Sequence, residues 1–178
     1  MKYRPVSVKE IIAEIRDTAE LMLDLSYSSI LFKERHFSEE VIELEKKIDE
    51  LIFMGRVSVM LAASGMKEVQ SLTGVLQIID SSAQISYGAV DLAKIHASDI
   101  GIPSAFLHTL HLFDETLASL TVPEGSKAVK VSVQKIEQET GMRIIAVKRS
   151  TGEWIINPAG DMITHSTDRI IAKGPFEA

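Results

Sequence analysis

The sequence predicts an α+β protein, an antiparallel helical bundle followed by a small βαβββ domain. Three observations carry this. Apolar residues recur at helical spacing from Val8 to Ala93, and from Leu120 onward that rhythm gives way to short isoleucine- and valine-rich runs between turn residues. A chain of 178 residues that is 46% hydrophobic can bury two small cores. The expected domains are 1–118 and 119–178.

The first helix is expected from Ser7 to about Arg35, with Val8, Ile11, Ile12, Ile15, Ala19 and Met22 on its buried face. Ser7 and Glu10, three apart, form a capping box in which hydroxyl and carboxylate each satisfy an orphan backbone amide. A second helix is expected to open at Ser38, with Glu39 and Glu40 near the positive end of its dipole and Val41, Leu44, Ile48, Leu51, Gly55 and Ala62 on one stripe. Ser64-Gly65 breaks it, and a third helix follows with Val69, Leu72, Leu76, Ile79, Ala83, Val90 and Ala93 in the same rhythm. Short connections between long amphipathic helices imply an antiparallel bundle. The third helix is also apolar at Val75, Ile78, Ile85 and Leu92, more surface than one stripe can cover, which predicts a homodimer. Asp99-Ile100-Gly101-Ile102-Pro103 should stop it, and a short fourth helix is expected over Ser104–Ala118.

In the second domain, Thr121-Val122-Pro123-Glu124-Gly125 reads as a strand end and turn. Val131–Thr140 is expected to be helical and closed by Gly141, with three strands after it: Met142–Lys148, Glu153–Asn157 across a Ser150-Thr151-Gly152 turn, and Arg169–Ala172. A module this small is expected not to bury both sheet faces alone, so pairing with a second copy is again predicted.

Composition excludes several classes. A net charge of -6 and a pI near 5.4 do not suit a protein that neutralises nucleic-acid phosphates. The absence of cysteine removes disulfides, thiolate metal sites and cysteine nucleophiles, and suits the cytoplasm. Met1–Glu10 lacks a signal-peptide core, and no apolar run approaches the roughly 20 residues that cross a bilayer, so no membrane insertion is expected. No serine sits in a G-x-S-x-G elbow and no G-x-G-x-x-G turn follows a strand, so neither an acyl-transfer enzyme nor a dinucleotide fold is expected. His108, His111, Asp114 and Glu115 fall along one side of the expected fourth helix, where they suit either a zinc or iron site or the polar face of an amphipathic helix.

Met142-Arg143-Ile144-Ile145-Ala146-Val147-Lys148-Arg149, then Trp154-Ile155-Ile156-Asn157-Pro158, then Asp168-Arg169-Ile170-Ile171-Ala172-Lys173-Gly174, resembles the TrkA-C domain, the C-terminal domain of RCK proteins. Where that family usually places glycine before the aspartate, this chain has Ser166-Thr167-Asp168. The resemblance implies a cytoplasmic domain of a potassium-channel or transporter subunit that dimerises and binds a small ligand between copies, a cyclic dinucleotide in some members. It points to Ile144, Ile145, Arg149, Asn157 and Pro158 as ligand-facing. Chemically, an amide reads a base edge, aliphatic chains flank a ring and a guanidinium takes a phosphate; equally, the isoleucines suit a strand core and Asn157-Pro158 a turn.

Val41-Ile42-Glu43-Leu44-Glu45-Lys46-Lys47-Ile48-Asp49-Glu50-Leu51 looks like a PhoU domain, with Glu45 and Asp49 matching its E-x-x-x-D motif. Two such motifs hold metal clusters in many PhoU proteins, and four-residue spacing puts both carboxylates on one helix face. Asp80 begins a second motif that ends in Gln84, so Glu45, Asp49 and Asp80 supply only part of a hard-cation shell. Together the resemblances imply a non-enzymatic regulator of potassium or other cation transport with a membrane transporter or channel as partner. The alternative is a PhoU-type metal-binding or phosphate-signalling adaptor.

Overall fold

The computed structural model describes residues 7–63, 70–98, 103 and 115–175. The chain divides into two compact units, Met1–Gly101 and Ile102–Ala178.

The first unit holds three helices, α1 (Val8–Phe32), α2 (Arg35–Ala63) and α3 (Gln70–Ala97). The capping box forms as expected: Ser7 N–H donates to Glu10 Oε2 at 3.0 Å and Glu10 N–H to Ser7 Oγ at 3.2 Å. Lys33 in the left-handed region (φ 56°) ends α1. The expected start of α2 at Ser38 is corrected to Arg35. Phe37 is drawn into the core at 3% exposure and Ser38 lies fully buried inside the helix, so burial rather than the hydroxyl sets the boundary. Ile11, Ile15, Met22, Leu25, Val41, Leu44, Ile48, Val59, Ile79 and Val90 form the core, and at its centre Gly55 lets α2 approach its neighbours. A Cβ there would lie 3.0 Å from Ile79 Cδ1 and 3.3 Å from Ile15 Cδ1. Three buried hydroxyls are satisfied by their own helices: Thr18, Ser29 and Ser86 donate to the carbonyls of Glu14, Ser26 and Ser82 at 2.7–2.9 Å, whereas the buried Ser38 hydroxyl has no partner among the described residues.

Helices α2 and α3 run antiparallel, as their cross-links show. Arg56 pairs with Asp80 at 2.7 Å, Tyr87 Oη donates to Asp49 Oδ1 at 3.0 Å, and Lys94 meets Glu45 at 3.4 Å, so residues rising along one helix meet residues falling along the other.

The second unit is β1 (Glu115–Thr121), α4 (Val133–Thr140), β2 (Arg143–Lys148), β3 (Trp154–Ile156) and β4 (Arg169–Pro175). Its antiparallel sheet has the order β1-β4-β2-β3. The helix and the three strands after it match expectation, with Gly141 (φ 71°) closing α4. The expected fourth helix over 104–118 is corrected at its end. Residues 115–118 belong to β1 and pair with Pro175 to Ala172, because the last strand reaches beyond Ala172 and its edge needs a partner. The boundary expected after Ala118 therefore falls inside this strand; residues 104–114 lie outside the described residues.

One core face holds Val122, Val133, Ile144, Val147, Ile170 and Ala172, with Ile136 of α4 against it. Ala146 and Ile171, paired in register and pointing the other way, are fully buried as well.

Candidate ligand site on the second unit

The pairing of β2 with β4 slips at Ile145: Ile144 faces Ala172 while Ala146 faces Ile171. This bulge puts Ile144 and Val147, three apart, on the same core face and sets the half-buried Ile145 apart from both. Ile145 C=O then accepts the N–H of Asn157 at 2.9 Å, just past the end of β3. Asn157 takes a left-handed conformation (φ 48°), which asparagine tolerates because its short amide can bond locally, and it is exposed. Pro158, half-buried, follows and fixes the exit of the chain. Ile145, Asn157 and Pro158 are therefore gathered at one end of the β2–β3 hairpin.

The other two predicted ligand residues are engaged within the fold. Ile144 is 3% exposed, packs in the core and donates its N–H to Glu137 Oε1 at 2.8 Å. Arg149, just past β2, is committed within the fold. Its Nη1 donates to Asp168 Oδ2 at 2.5 Å and Ile163 C=O at 3.1 Å, and lies 2.9 Å from His165 Nδ1. The Asp168 side chain is 1% exposed and also accepts the N–H of His165 at 2.7 Å. The guanidinium neutralises a buried carboxylate and ties β2 to the turn before β4.

Sequence reasoning missed Asp168 and His165 as Arg149's partners. The signal present was Thr167, standing where the TrkA-C pattern has glycine. It takes φ 66°, strained for a β-branched residue, and so marks a turn held by its surroundings. Thr167 N–H donates to Val122 C=O and Val122 N–H to Asp168 C=O, both at 2.8 Å, and these bonds hold that turn.

Of the predicted metal residues, Glu45, Asp49 and Asp80 line the α2–α3 seam, each engaged by a different partner: Lys94, Tyr87 and Arg56. Among the described residues no group of three histidine, aspartate or glutamate side chains is gathered as a metal shell. Tyr87's pKa is raised, chiefly by its hydrogen bond to Asp49 and then by burial. His108, His111, Asp114 and the side chain of Glu115 lie outside the described residues.

An antiparallel helical bundle followed by a small mixed domain with a four-stranded antiparallel sheet and one packed helix defines a two-domain α+β protein. Comparison with known proteins names both parts: the PhoU domain model matches residues 12–95 and the TrkA-C domain model residues 117–178. The helical unit is thus similar to PhoU domains and the sheet unit to TrkA-C domains. No curated protein matches it. Solved structures similar to it include the crystal structure of the GsuK RCK domain, at 18% identity and TM-score 0.33, over 57% of this chain and 22% of that one. The GsuK channel bound to NAD (18%, 0.33, 58% and 19%) and the GsuK channel (18%, 0.33, 71% and 23%) are similar to the same degree. The chain spans about a fifth of the length of these structures. Among the described residues no helix is long and apolar enough to cross a membrane.

Proposed function

We propose that this chain is a non-enzymatic, cytoplasmic regulator of potassium or other cation transport. Its TrkA-C domain senses a small ligand, it acts as a homodimer, and a membrane transporter or channel is its partner. The union of a PhoU domain with a TrkA-C domain in one chain carries this reading. The hairpin end supports it: Ile145, the exposed Asn157 amide and Pro158 offer an apolar flank beside a group that both donates and accepts hydrogen bonds. A ring-bearing anionic ligand such as a cyclic dinucleotide matches that chemistry. To regulate, the ligand must bind one arrangement of the protein better than another.

The test is the melting temperature of chelator-treated protein against cyclic di-AMP, other cyclic dinucleotides, adenine nucleotides, manganese and zinc. Asn157→Gly is the informative variant, because glycine keeps the left-handed backbone and removes only the amide. A nucleotide is expected to raise the transition of the parent and not of the variant. A nucleotide shift that survives in Asn157→Gly moves the site elsewhere. Stabilisation by a metal alone transfers the function to the PhoU domain.

A further inference from the structure

Helix α3 has a second face, opposite its core stripe of Ile79, Ala83, Ser86, Val90 and Ala93. Ile78, Ile85 and Ile95 are 53%, 50% and 37% exposed there, and Leu92 is half-buried. Interleaved with them are Ser71, Gly74, Ser81 and Gly88, so that steps of three and four alternate along the whole face without a charged side chain. Among the described residues nothing accounts for the two glycines. A Cβ at Gly74 or Gly88 would meet no atom within 4 Å, whereas one at Gly55 would press on Ile79 and Ile15. Glycine inside a helix costs about 1 kcal/mol relative to alanine, and close approach of another backbone is a use that offsets the cost.

We infer that this face is the interface between two copies of the chain, with α3 packed antiparallel on its partner about a two-fold axis that crosses the exposed face level with residue 83. The pattern specifies that register. An antiparallel pair centred on residue 83 sets Ile78 against Gly88, Ile85 against Ser81, Leu92 against Gly74 and Ile95 against Ser71. All eight positions are used, and each large side chain meets a small one. A two-fold interface requires this self-complementarity, in which residue i meets j while j meets i. Parallel pairing sets isoleucine on isoleucine and glycine on glycine. Sliding the antiparallel pair by a heptad toward the C-terminus brings Ile78 onto Ile95; sliding it the other way loses two of the four matches. The seam is about 36 Å long and one helix wide, so two copies bury roughly 700–1,000 Å² in total, enough for a reversible, concentration-dependent dimer. This gives the proposed homodimer a particular interface, and its failure would leave the ligand experiment untouched.

The absence of cysteine allows a clean test. Full-length Ser71→Cys and Ile95→Cys chains are mixed and oxidised. Disulfides are expected between unlike chains only, because like positions lie about 36 Å apart in the antiparallel register, far beyond disulfide reach. In parallel, sedimentation equilibrium is expected to show a dissociation constant at least about tenfold higher for Ile85→Asp than for the parent, with helix content unchanged by circular dichroism. Disulfides between like chains, no disulfide at all, or Ile85→Asp associating as the parent does would each overturn the assignment.

Discussion

At the scale of single residues, Arg149 shows how a motif position is claimed by the fold. The resemblance to TrkA-C makes it an anion ligand, and the type of residue supports that; its distance to Asp168 makes it a structural cation first. Removing it leaves a buried carboxylate without its charge partner, so Arg149→Ala is expected to cost about 3 kcal/mol in denaturant unfolding. Arg149→Ala with Asp168→Asn should recover much of that loss, and equal losses in the single and double variants would count against the pair. Tyr87 carries a pH signature of its own. Because its folded pKa is raised, its contribution is fully present below the ordinary phenol value of 10.0 and is lost as pH rises through the higher folded value. The stability advantage over Tyr87→Phe should therefore hold near neutrality and shrink above about pH 10. An advantage constant across that range would show that the bond to Asp49 is not what shifts the phenol. Neither partnership was legible beforehand, since Asp168 stands 19 residues and Asp49 38 residues from the group it binds.

At the scale of elements, much could be read in advance because period and punctuation agreed. The capping box at Ser7, the glycine closing α4 and the isoleucine-rich β2 are local signals, and each appears where expected. The start of α2 and the expected helix over 115–118 were misread for one reason: burial of Phe37 and pairing with β4 are tertiary effects that outweigh local propensity. The bulge at Ile145 was likewise invisible, because only the partner strand reveals a slipped register. Gly55 makes an element-scale prediction. Gly55→Leu is expected to cost about 2 kcal/mol, since overpacking against Ile15 and Ile79 outweighs the gain in helix propensity. A Tm equal to or above the parent's would mean that the three helices can spread at no cost.

At the scale of the whole molecule, the order of bundle before sheet domain and the identity of both parts were legible, because each domain carries its own pattern. The candidate site was legible only in part. Ile145, Asn157 and Pro158 meet at one hairpin end, while Ile144 and Arg149 serve the interior. Recognition motifs are remembered as residue types, and types do not say which side chains the core has already taken.

The three cross-links between α2 and α3 carry one more consequence. Each is exposed or nearly so and adds little stability, yet their order along α2, acid, acid, base, faces base, phenol, acid on α3. A ratchet of one helix past the other by a single turn, about 5.4 Å, would uncouple all three at once. The seam is in this sense a key cut for one position of α2 against α3.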